Sequence, residues 1–234
     1  MALPKINTPT YQLTLPSQDK KIKYRPFLVK DEKVLLVAME SQDEEQIFDA
    51  MKNVIRSCIL TKIDVDTLPM FDLEYIFLKI RSKSVGETST INVLCPDDEK
   101  TYVQTTINLD DIDVQVDDNH TNNIKLTDDI GIVLQYPNYE SLRLVTKEGL
   151  TTENIFKLIR SCIAQVYDGD SVYETSDFTD KEINEFLEGF TTDNLNKVKT
   201  FFDTMPRLRH EVEVENPETK VKSKVVLEGL NNFF

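Results

Sequence analysis

Only six glycines and three cysteines occur in 234 residues, and each shortage removes a class of chemistry. Without clustered glycine there is no phosphate-cradling loop, nucleophile elbow or dinucleotide fingerprint. Three cysteines, odd in number and without Cys-x-x-Cys spacing, are too few for a disulfide framework, so a reducing cytosol is the expected setting. The two histidines, His120 and His210, stand alone in sequence and give no motif for a catalytic triad. No apolar run approaches the roughly 18 residues of a membrane helix. Met1-Ala2-Leu3-Pro4-Lys5 lacks the pattern of a signal peptide, so the chain is expected to stay where it is made. Basic residues are also short, 27 against 41 acids for a net charge of -14. This balance disfavours nucleic acid, whose binding depends on Lys and Arg displacing counterions, and it suits an assembly factor or a basic protein partner.

What remains is a globular composition, 40% hydrophobic, with one conspicuous repetition. The run Ile-Arg-Ser-Cys-Ile occurs at 55–59 and again at 159–163. Around the first copy, Ile47, Phe48, Met51, Val54, Ile55, Cys58 and Ile59 recur at helical spacing. Around the second, Ile155, Phe156, Ile159, Cys162, Ile163 and Val166 do the same, with candidate caps at Thr151 to Asn154. Each cysteine falls on the apolar stripe, where a thiol packs as a small hydrophobe.

The likeness between the halves continues beyond these helices. Residues 90–109 and 211–230 alternate apolar and polar side chains around Cys95-Pro96-Asp97-Asp98 and Asn216-Pro217-Glu218-Thr219, which predicts two hairpins. A helix is expected before each, over 70–82 and 193–205, and extended sequence at 11–29 and 124–137 precedes each repeated helix. The second half has an insertion with an extra helix at 178–190. An α+β fold is expected, with two related modules arising by internal duplication, each holding antiparallel hairpins and amphipathic helices. The modules span 1–117 and 124–234, joined by an acidic, polar linker at 118–123.

Candidate chemistry is sparse. Cys95-Pro96-Asp97-Asp98 has the outline of a zinc-knuckle turn, but a tetrahedral site needs four ligands and no Cys/His set supplies them. Asp64, Asp66, Asp168 and Asp170 are the carboxylates available to a metal-dependent hydrolase, although none shows a calcium-loop pattern. No catalytic residue, cofactor or metal is expected. Apolar residues around more than one face of the 68–78 segment (Leu68, Met70, Phe71, Tyr75) and the terminal Phe233 and Phe234 are the candidate partner contacts.

The segments 22–40, 68–87 and 201–214, together with the ending Val-Val-Leu-Glu-Gly-Leu-Asn-Asn-Phe-Phe, resemble the baseplate hub assembly family of T-even-type bacteriophages, the gene-product-twenty-six family. The resemblance covers most of the chain. It implies a non-enzymatic assembly factor or chaperone that binds hub or tape-measure proteins in the host cytoplasm, or alternatively a permanent hub subunit in the virion. Some relatives carry fuller Cys-Pro-x-Cys turns, of which this chain keeps Cys95-Pro96.

Overall fold

In the computed structural model, which describes residues 7–149 and 151–233, the chain begins with an antiparallel hairpin of β1 (Tyr11–Thr14) and β2 (Lys21–Tyr24). A helical pair follows, α1 (Val29–Glu40) and α2 (Glu44–Cys58), and then α3 (Met70–Val85). The hairpin β3 (Thr88–Leu94) and β4 (Tyr102–Asn108) leads through a 3-10 turn to the short β5 (Asp113–Gln115). Next come β6 (Asn123–Lys125), β7 (Ile130–Leu134), α4 (Tyr139–Glu148) and α5 (Thr152–Cys162). A hairpin of β8 (Ile163–Asp168) and β9 (Ser171–Glu174) precedes α6 (Asp180–Glu188) and α7 (Thr192–Thr204). The chain closes with β10 (Arg207–Glu215), β11 (Lys222–Glu228) and a 3-10 turn at Leu230–Phe233. The fold is α+β, and every sheet among the described residues is antiparallel. None of the described helices is long and apolar enough to cross a membrane.

The two copies of Ile-Arg-Ser-Cys-Ile end their helices in the same way. After Cys58 the chain turns extended at Ile59 (φ -74°, ψ 133°), and after Cys162 it does so at Ile163 (φ -73°, ψ 115°). The Arg25 N–H donates to the Cys58 carbonyl at 3.0 Å, and the Gln135 N–H donates to the Cys162 carbonyl at 2.7 Å. Each helix end is thereby stitched to the strand that precedes its helical pair. Capping is local and legible: Asp43 accepts from Glu45 and Gln46 at the start of α2, and Thr151 accepts from Asn154 at the start of α5. Val166, whose spacing fits a continued helix, lies instead in β8 opposite Ile132. Pairing with β7 satisfies the backbone there and overrides the helical spacing, which Ile163, Val166 and Tyr167 as β-branched and aromatic residues permit.

The described residues form two compact units. One contains those up to Gln115 together with those from Arg207 onward, and the other runs from Val116 to Pro206. The last hairpin joins the first unit, where β10 pairs with β5 through Arg207↔Gln115, Leu208↔Val114 and Arg209↔Asp113. In the first unit, Ile91, Val93 and Ile107 of one hairpin share a core with Leu208, Val212, Val214 and Leu227 of the other, completed by Leu78 and Phe233. In the second, Ile124, Ile132 and Leu134 pack with Ile159, Cys162, Leu187, Val198 and Phe201.

Candidate functional site

Among the described residues, α1 carries more exposed large apolar side chains than any other element. Of its twelve residues only Asp31 and Ala38 are buried, whereas Val29, Val34, Leu36, Val37 and Met39 are exposed, Val29 at 82% and Met39 at 62%. A helix that presents aliphatic side chains to solvent needs an anchor other than its own packing, and here the anchor is ionic. Arg25 donates to Asp31 at 2.7 Å and to the Ser57 hydroxyl at 2.7 Å, and Ser57 donates to the second Asp31 oxygen at 2.7 Å. The Leu28 N–H also donates to Asp31, at 2.8 Å, closing the first turn of α1. Burial works to raise the Asp31 pKa, but the guanidinium, the Leu28 N–H and the Ser57 hydroxyl outweigh it and hold the carboxyl below its ordinary value.

The expected partner contacts on α3 and the tail are occupied within the fold. Leu68 and Phe71 are buried, Met70 and Tyr75 are half-buried, and Phe233 is fully buried against the hairpin core. Phe234 lies outside the described residues. Lys79 donates to the carbonyls of Asp110 and Ile112 at 2.8 and 2.9 Å while lying 5.1 Å from the centre of the Tyr75 ring. The Leu230 N–H donates to Glu74 at 3.3 Å, which fastens the tail to α3. Both α1 and α3 have apolar residues on more than one face, and that shared cue carries no information about which helix the fold covers.

The thiols are structural in their surroundings. Cys58 and Cys162 are fully buried, and burial pushes their pKa values up to about 11 and about 12. Cys95 is buried as well, and all three are free of disulfides. The turns at Cys95 and Asn216 share one geometry. Cys95 N–H donates to the Thr101 carbonyl at 2.8 Å and Asn216 N–H to the Val221 carbonyl at 2.9 Å. Glu99 and Lys220 take matching left-handed conformations, φ 54° and 63°.

Asn216 then donates to both Asp97 oxygens, and the Thr219 hydroxyl donates to one of them at 2.5 Å. Asp98 accepts from the Thr101 hydroxyl and N–H. These residues do not fit a thiolate metal site, because the carboxylates are spent on hydrogen bonds and the Asn216 amide acts as a donor. Among the described residues no three His, Cys, Asp or Glu side chains gather as metal ligands would.

The remaining candidates are likewise engaged or separated. Asp66 pairs with Arg56 and Lys52 and belongs with Asp64 to the first unit, whereas Asp168 and Asp170 bound the β8–β9 turn of the second. His120 bridges the Thr204 hydroxyl at 2.9 Å and the Tyr136 hydroxyl at 3.0 Å, and burial lowers its pKa. His210 sits within β10 opposite Leu227. The surface with functional character is therefore α1, whose exposed aliphatic side chains lie on more than one side of the helix.

No curated protein and no solved structure matches the chain. A family model described as T4 bacteriophage base plate protein matches residues 8–234, the length over which the core, the hairpin turns and both Ile-Arg-Ser-Cys-Ile helices are built. By this match the chain belongs to the T4 bacteriophage base plate protein family.

Proposed function

We propose that this baseplate protein acts without catalysis, as an assembly factor for the baseplate hub that binds hub or tape-measure proteins through α1. The observation that carries this reading is the exposed aliphatic set Val29, Val34, Leu36, Val37 and Met39 on one short helix. Five exposed aliphatic side chains on one short helix are surface that another protein can cover, and a buried ion pair that holds the helix in position keeps them presented. The family match supports a role among baseplate components. Met70 and Tyr75, half-buried on α3, are the members of the expected contact set that retain surface.

The test is a pull-down from infected cells with the double substitution Val34→Asp and Leu36→Asp. Loss of hub proteins from the eluate, with thermal unfolding unchanged, is the expected result, and undiminished recovery would remove α1 from the interface. Mass spectrometry of purified particles separates the two modes of action. An assembly chaperone that leaves is absent from virions, whereas a permanent hub subunit is present in fixed stoichiometry.

We also infer that the halves descend from one duplicated segment. Support comes from the parallel order of hairpin, helical pair, helix and hairpin, from the matched exits at Ile59 and Ile163, and from the matched turns at Glu99 and Lys220. An experimental structure in which α2 and α5 join their preceding strands in different register would overturn this.

A further inference from the structure

One stripe seats α1 on the protein, and the opposite stripe is bare. Asp31, Leu35 and Ala38, spaced by four and three residues, form the seat: Asp31 and Ala38 are buried and Leu35 is half-buried. With about 3.6 residues per turn, the line facing away from them is Val29, Lys33, Leu36 and Glu40, with Val37 beside it. All five are exposed. Val34 and Met39 flank this line on opposite sides.

The charges on the outer line stand at its two ends. Lys33 precedes the Leu36-Val37 pair by three residues, and Glu40 follows it by three. Among the described residues neither of these side chains forms an ion pair. Lys30 and Glu32 offset each other and Asp31 is answered by Arg25, so α1 and its anchor carry no net charge in a chain of -14. Two acidic copies repel each other least where each is locally neutral, and the remaining charges are screened over about 8 Å at physiological salt.

We propose that the outer stripe of α1 pairs antiparallel with the same stripe of a second copy of this chain, about a twofold axis beside Leu36 and Val37. Under that operation Leu36 of each copy meets Val37 of the other, Val34 meets Met39, and Lys33 meets Glu40, so every contact occurs twice. The two helix dipoles then oppose each other, which is their favourable arrangement. A parallel pairing would set Lys33 against Lys33 and Glu40 against Glu40. A partner of other sequence would need its own base and acid at this spacing, whereas a second copy supplies them by symmetry.

The inference rests on α1 being a docking face, and adds that self-association covers it until a hub protein takes its place. Each helix is about 18 Å long, and one such pair buries well under the ~1,200 Å² of a stable interface, so the dimer is weak and displaceable.

The test is analytical ultracentrifugation of the full chain from micromolar to millimolar concentration, where a concentration-dependent dimer is expected. Lys33→Glu and Glu40→Lys, each alone, are expected to weaken it about tenfold, because each reversal recurs at both ends of the interface. Mixing these two variants in equal amounts is expected to restore association, since the mixed dimer regains both opposite-charge contacts. A dimer indifferent to either reversal, or one that mixing does not restore, overturns the proposal. So does a chain that is monomeric throughout the range, an outcome that leaves hub capture by α1 to be judged by the pull-down. The variant carrying both Val34→Asp and Leu36→Asp is expected to be monomeric, and a dimer that persists in it overturns the proposal. If that variant is monomeric yet recovers hub proteins undiminished, the dimer stands and the hub reading of α1 falls.

Discussion

The side-chain amide of Asn216 donates to both carboxylate oxygens of Asp97, at 3.1 and 3.0 Å, and so ties together the tips of two hairpins 119 residues apart in the chain. Asn216 is fully buried and its own oxygen accepts from the Glu218 and Thr219 N–H groups. One side chain thus closes its turn and joins it to another. Asn216→Ala removes both functions and is expected to cost about 1–3 kcal/mol, the usual loss when buried polar groups forfeit their partners. Chemical denaturation measures it, and a cost below the experimental error would mean that water replaces the clasp.

Phe233 separates a docked tail from an exposed anchor. Its ring is fully buried among Leu78, Ile107, Leu208 and Leu227, so Phe233→Ala is expected to destabilise the first unit by about 3–5 kcal/mol. An unchanged melting temperature accompanied by weaker partner binding would instead identify the ring as a contact.

The thiols give a direct chemical readout. With Cys58 pushed up to about 11 and Cys162 up to about 12 and both buried, neither supplies thiolate near neutral pH. Iodoacetamide at pH 8 is expected to leave both unmodified in the folded chain, and to label all three cysteines in denaturant. Intact mass spectrometry follows the reaction, and rapid folded-state labelling of either residue would contradict their burial.

The Arg25–Asp31 pair sets an acid limit on the seat of α1. Because the folded pKa of Asp31 is depressed below 3.8, its contribution is fully present above that unfolded-state value and is lost as pH falls through the lower folded one. Asp31→Ala leaves the buried guanidinium unpaired and is expected to cost about 3–5 kcal/mol, with the joint change to Met at 25 and Leu at 31 costing less. A double-mutant cycle by denaturation at neutral pH, repeated under acid, checks both the size and the sign.

Gly131 makes room for an aromatic ring across the sheet. A Cβ there would sit 2.1 Å from the hydroxyl oxygen of Tyr167, its partner in β8, and that hydroxyl donates to Asn123 at 2.8 Å. Gly131→Ala is expected to displace the ring, break the bond to β6 and cost about 1–3 kcal/mol. Thermal unfolding reads the loss, and the amide resonances of Asn123 and Lys125 should shift with it.

Much of the architecture is written in local sequence. Period-two alternation around Pro96 and Pro217 determined the paired hairpins, and helical spacing around Cys58 and Cys162 determined buried thiols, because each pattern follows from the geometry of one element. The family resemblance was legible for the same reason, resting on segments that lie along the chain. Three features depended on tertiary structure: the pairing of β10 with β5, the conversion of Val166 from helix to strand, and the choice of α1 rather than α3 as the helix left exposed. In each case the deciding interaction joins residues far apart in sequence, whether Leu208 to Val114, Val166 to Ile132 or Phe233 to Leu78. Propensity and periodicity report only what a segment can bury, whereas the cover it receives is set by what folds onto it.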